Sequence, residues 1–141
     1  MFFRDFPEAL TAEITKDGST ALHVAVRLGR ADFVRDLLKL MTPAQLEATT
    51  HKGNTALSVA AKGYNNLEIV KLMAKINPYL LQMENEEEHS ALAIAAINGD
   101  EMVFRYLYSV TPPKMLLQSG SIGKRVSNLL TSAARIDAFG T

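Results

Sequence analysis

At 141 residues the chain is the size of one domain, and a hydrophobic content of 48% is ample for a core. Fifteen basic and fifteen acidic residues cancel, which removes any global pull toward nucleic acid or anionic lipid. The absence of cysteine excludes disulfides, thiolate nucleophiles and cysteine-ligated metal sites.

The amino terminus lacks the basic-then-apolar order of a signal peptide, and no run nears the roughly 18 apolar residues that a bilayer span needs. The chain therefore reads as soluble and intracellular. The first element, Pro7-Glu8-Ala9-Leu10, is a Pro-x-x-Leu unit that returns at Pro43, Pro78 and Pro113. Proline suits the first turn of a short helix, where its missing N–H costs nothing. Because the later copies follow the second helix of each unit, residues 1–16 are expected to be the tail of a preceding unit.

Asp17-Gly18 then makes a turn, matched by Lys52-Gly53. Behind it, Thr20-Ala21-Leu22-His23-Val24-Ala25-Val26 recurs at Thr55–Ala61 and at Ser90–Ala96, with a step of 35 residues each time and no insertion. A fixed period of this length predicts an all-α solenoid of stacked helical hairpins. The repeats are expected at 17–51, 52–86 and 87–118. Thr20, Thr55 and Ser90 fall where an inner helix needs an N-cap. Ala21, Leu22, Val24 and Ala25, with their equivalents, form its apolar side, alanine allowing close helix approach. Gly29 and Gly99 are placed to end the inner helix in the left-handed conformation. In the second repeat Tyr64 holds that place and Gly63-Tyr64-Asn65-Asn66 reads one residue long, so an altered turn is expected there.

The outer helices follow. Val34, Leu37, Leu38 and Met41 share one helical face, and Ile69, Leu72, Met73 and Ile76 repeat the spacing; Phe104, Leu107 and Tyr108 continue it, with Thr111 weakening the fourth position. Beyond Gln118, Ser119–Gly123 reads as a flexible linker, and Asn128–Arg135 matches Thr20–Arg27. Residues 119–141 are thus expected to be a linker and the inner helix of a truncated fourth repeat, so that both ends look cut from a longer array.

Thr20, Leu22, His23, Ala25, Gly29, Val34, Leu37 and Leu38 resemble the ankyrin-repeat pattern of Thr-Pro-Leu-His-x-Ala-Ala, a glycine, and a Val-Val-x-x-Leu-Leu second helix. The second and third copies carry Ser58 and Ala93 in place of the histidine, and all three have alanine where proline is commoner. The Pro-x-x-Leu units and the late Leu-Leu-Thr-Ser-Ala also resemble plant ankyrin-repeat proteins that end in a membrane-spanning PGG domain, a segment not present here. That narrower resemblance implies defence or stress signalling, with a place in the cytoplasm, or at the cytosolic face of the plasma membrane within a longer PGG-type protein.

Candidate chemistry is sparse. His23 reads as a structural bridge between a hydroxyl and backbone groups, and His51 and His89 fall on separate fingers, too far from it for a metal site. Glu84–Glu88 lacks the spacing of a calcium loop and the apolar surroundings of a catalytic carboxylate pair. Gly120–Arg125 fails the phosphate-loop pattern, while Lys124-Arg125-Val126-Ser127 matches a short basophilic kinase site at Ser127. No nucleophile–base arrangement emerges, so neither an enzyme nor a cofactor is expected.

The ankyrin resemblance implies protein–protein interaction through the concave face. The positions expected to carry it are Lys16, Asp17, Arg27, His51, Lys52, Ser58, Lys62, Glu86, Glu87, Glu88, His89, Ala93 and Ile97. The charges divide, basic at the second finger and acidic at the third, which calls for a protein partner of mixed polarity and not for nucleic acid or a bilayer. A rival expectation is a truncated regulator that self-associates, or joins longer relatives, through the uncapped apolar surface at Leu129 and Leu130.

Overall fold

The computed structural model describes residues 7–63, 65–98 and 100–111. Six α-helices lie there in three hairpins: α1 (Ala21–Arg27) with α2 (Ala31–Leu40), α3 (Ala56–Lys62) with α4 (Leu67–Ile76), and α5 (Ala91–Asn98) with α6 (Glu101–Val110). The inner helices α1, α3 and α5 stack on one another, as do the outer helices α2, α4 and α6. Inner helices of seven or eight residues are too short to persist alone. They hold because their alanines bury: Ala25, Ala56, Ala60, Ala61, Ala91 and Ala95 admit close approach, and Leu22, Leu57 and Leu92 fill the space between hairpins. The fold is the all-α repeat solenoid that the 35-residue period predicts.

Two of the three expected caps form by their hydroxyls, while Thr20 makes no side-chain cap bond and is tied to His23 instead. Ser58 and Ala93 donate their N–H groups to Thr55 Oγ1 and Ser90 Oγ at 3.2 and 3.3 Å. The Pro-x-x-Leu units are 3₁₀ turns at Pro7–Leu10, Pro43–Glu47 and Pro78–Gln82, burying Leu10, Leu46 and Leu81. The fourth unit at Pro113, the linker, the partial fourth repeat with Leu129 and Leu130, and Ser127 lie outside the described residues, as do Tyr64 and Gly99.

The altered turn of the second repeat has an identifiable construction. In the first, Gly29 is left-handed (φ 72°) and the Arg30 N–H reaches Ala25 O at 3.0 Å. In the second, the left-handed residue is Asn65 (φ 61°), and the Asn66 side chain donates Nδ2–H to Ala60 O at 3.2 Å instead. This turn holds one more residue, so α4 begins 36 positions after α2 while α6 begins 34 after α4. The extra residue is removed at the next junction. Asn77 alone ends α4 and caps the following 3₁₀ turn, where Met41 and Thr42 divide those tasks one repeat earlier. Its Nδ2 also ties back to Pro43 O and Glu47 Oε2 at 2.7 and 3.0 Å.

That shift corrects the expected face of α4. One residue turns a helix by about 100°, and Val70, Met73 and Ala74 now match Val34, Leu37 and Leu38 in burial. Leu72 and Ile76, expected in the core, are only half-buried; Ile69 and Met73 keep their buried places. In α6, Phe104 and Leu107 are buried with Val103, whereas Tyr108 is 44% exposed.

Each hairpin is preceded by a finger loop with the same internal ties. Residues 15, 50 and 85 (Thr, Thr, Asn) accept the N–H four positions on, at 3.1, 3.3 and 3.0 Å. The third position of each turn is left-handed: Gly18 (φ 80°), Gly53 (φ 83°) and Glu88 (φ 64°). Gly18 has a second constraint, since a Cβ there would fall 2.5 Å from the His51 ring. Fingers join through one backbone bond each, His51 N–H to Asp17 O at 2.8 Å and Glu86 N–H to Lys52 O at 2.9 Å. A non-glycine residue in this conformation costs about 1–2 kcal/mol, partly offset by the chain entropy that glycine loses. Glu88→Gly is therefore expected to stabilise the chain by about 0.5–1 kcal/mol, read as a higher urea midpoint at unchanged slope.

Candidate functional site

Fingers and inner helices enclose a groove of about 500 Å³ along the concave side. Its floor comes from Val59 and Ile94 at the second turn of α3 and α5, with Val26 at the near end. Asn54 and Asn85 line it from the finger bases, Asn98 from the last residue of α5 and Asn66 from the cap of α4. Apolar floor with amide-bearing walls suits a polypeptide, which offers both side chains and backbone amides.

Seven of the thirteen expected residues line this groove: Asp17, Arg27, Lys52, Ser58, Lys62, Glu87 and His89. Lys16, His51, Glu86 and Glu88 are exposed on the fingers but outside it, and Ile97 is 44% exposed in the last turn of α5. His51 is committed locally, lying over Gly18 with Nε2 3.2 Å from Glu13 Oε2.

Two residues expected on the exposed surface are buried. Ser58 is 3% exposed and Ala93 1%, because the third residue of each inner helix turns back toward its own cap. Ser58 Oγ accepts from the Thr55 hydroxyl at 3.3 Å, so the hydroxyl is occupied inside the repeat.

His23 shows what that position does in the first copy. At 1% exposure, its Nδ1 accepts the Thr20 N–H at 3.0 Å and lies 2.8 Å from Thr20 Oγ1. Nε2 is then the protonated nitrogen and donates to Asn54 O at 3.0 Å, pinning the first inner helix to the second finger. The expected bridging role is observed. Burial holds the imidazole pKa below its ordinary value, with the nearby Arg27 charge acting in the same direction against the hydrogen bond to Asn54. The next junction has no such histidine; there Asn85 Nδ2 donates to Asn54 Oδ1 at 2.9 Å. Asn54 thus joins all three repeats. The spacing of 35 that links Thr15, Thr50 and Asn85 is the signal that would have found Asn85; Asn54 has no equivalent amide in the other copies.

The walls differ in charge from repeat to repeat. In the first, Arg27 crosses the groove to Asp17 at 3.4 Å and also donates to Ser19 Oγ at 3.1 Å. Hydrogen bonds from the Thr15 and Ser19 side chains, then the Ser19 N–H and the Arg27 charge, keep the Asp17 carboxyl well below the usual carboxylate range although partial desolvation opposes them. In the second, the same two positions are Lys52 and Lys62, and neither makes an ion pair with a described residue. In the third, Glu87 sits 3.7 Å from His89 Nδ1. On the outer helices Arg35 bridges Asp32 and Glu68, Arg105 pairs with Glu101, and Lys71 lies over the Tyr106 ring. Among the described residues no three metal-ligating side chains come together, and no helix is long and apolar enough to cross a membrane.

The stacked hairpins, the finger loops and the His23 pin are accompanied by direct family matches. A family model described as ankyrin repeats (3 copies) matches residues 37–115, more than half of the chain, and an ankyrin-repeat model matches residues 17–50. The chain belongs to the ankyrin-repeat family. Comparison with curated proteins finds no match. Ankyrin repeats generally mediate protein–protein interaction.

Proposed function

We propose that this ankyrin-repeat chain is a protein-interaction module that takes a segment of its partner into the concave groove. The observation that carries the reading is the composition of the groove. It presents half-buried Val59, the exposed amide of Asn98, and two lysines that make no ion pair with a described residue, between walls whose charge changes from repeat to repeat. A partner segment of mixed polarity fits, with acid facing the second repeat and base facing Glu87 in the third. The family match spans the repeats alone, so the narrower resemblance to plant defence or stress-signalling proteins adds nothing to this reading.

Val59→Arg tests it. The substitution fills the groove floor with a long charged side chain at a position that is not in the sealed core. Proteins that co-purify with the wild-type chain from cells of its source are expected to be lost at least tenfold with this variant, at an unchanged helical circular dichroism spectrum. Retention of all of them would place the partner surface elsewhere.

A further inference from the structure

We propose that Lys52 and Lys62 form a two-point clamp for one carboxylate of the partner segment, an Asp or Glu side chain, held between the two positions that Asp17 and Arg27 occupy in the first repeat. This rests on the groove being the partner site. The template is within the chain. Positions 17 and 27 face each other across the groove and close to 3.4 Å as Asp17–Arg27. Positions 52 and 62 are their equivalents, 35 residues on, with no insertion between the copies. The fingers have the same backbone, with left-handed glycines at 18 and 53, and the inner helices begin at 21 and 56. The pair of positions is therefore repeated while its anion is not.

Both lysines line the groove, with Asn54 in the place of Ser19. Their like charges leave the gap open, and in a partly enclosed cleft they reinforce one another instead of being separately screened. A carboxylate between them gains two charge-assisted hydrogen bonds. Glu87 does not supply it: it belongs to the next finger and is placed against His89 at 3.7 Å.

The spacing of the partner's residues follows. Packed helices lie about 8–10 Å apart, and an extended chain rises about 3.3 Å per residue. A segment running along the groove thus advances one repeat in about three residues. An acidic residue at the clamp places a residue three positions away beside Glu87, where Lys or Arg is favoured. The residues between pass over Val59 and Ile94. The partner motif is an extended acidic-x-x-basic segment, in one chain direction or the other.

The experiment is selection of a random twelve-residue peptide library displayed on phage against the whole 141-residue chain, followed by anisotropy titration of a labelled peptide from the enriched set. Enriched peptides are expected to share the acidic-x-x-basic spacing. Lys52→Asp and Lys62→Glu should each weaken binding at least tenfold, as should amidation of the peptide's acidic side chain. Lys52→Asp is also the folding control. Its carboxylate faces Lys62 as Asp17 faces Arg27, so the melting temperature should hold or rise while binding is lost. Exchanging the peptide's acid for lysine should restore binding to the Lys52→Glu/Lys62→Glu variant.

Peptides that lose binding with Val59→Arg yet bind both lysine variants within twofold of wild type would overturn the clamp and leave the groove reading standing. Peptides indifferent to Val59→Arg would overturn both. Failure to enrich any peptide would count against the clamp, since a preformed carboxylate site in an open groove should select one.

Discussion

Val70→Asp should remove at least about 4 kcal/mol of folding stability, a large part of what a domain of this size possesses, because it buries a charge with nothing to pair it. Leu72→Asp, two residues along the same helix, should cost only about 1–2 kcal/mol, since Leu72 is half-buried and the new carboxylate can reach water. The contrast follows from the extra residue in the turn before α4. A strict 35-residue register would put Leu72 in the core and Val70 off it, inverting the order of the two effects. Urea denaturation followed by helical circular dichroism checks both, and equal losses would contradict the observed register.

His23→Ala should cost about 2–4 kcal/mol: it opens a cavity at a 1%-exposed site and strands the buried Thr20 N–H. Asn54 O is less affected, because it also accepts the Thr50 N–H at 2.9 Å. His23→Gln should recover part of the loss, since glutamine at this position of an inner helix can accept the Thr20 N–H in the manner of a capping box. The histidine has a pH signature too. Its pKa is lower folded than unfolded, so between the two values the unfolded chain binds more protons and stability rises with pH. The contribution is complete above about pH 6.5 and is lost as the pH falls from there toward the lower folded value. Urea midpoints at pH 7.5 and 5.5 should therefore differ more for the wild type than for His23→Gln. Equal differences would mean that His23 is not buried in its neutral form.

The period of 35, the caps at Thr55 and Ser90, and the short helices at Pro7, Pro43 and Pro78 were all legible in the sequence, because each depends on residues close in the chain. The register of α4 was legible only as an irregularity. Gly63-Tyr64-Asn65-Asn66 shows that the turn is long, but not that Asn77 removes the surplus at the helix's other end. Burial of Ser58 and Ala93 escaped for a related reason. A serine and an alanine in place of a histidine look like surface variation, yet this is the inward position at which His23 meets Thr20. The division of groove charges was visible residue by residue. That Asp17 and Arg27 meet, and that Lys52 and Lys62 line the same groove, required the third dimension.

The most direct test of the concave groove as the binding surface is amide hydrogen exchange of the whole chain, alone and saturated with a peptide selected by the library experiment. Added protection is expected in residues 50–63 and 85–98, the second and third fingers with α3 and α5, while exchange in the outer helices α2, α4 and α6 stays unchanged. Protection confined to the outer helices, with the fingers unaltered, would contradict it.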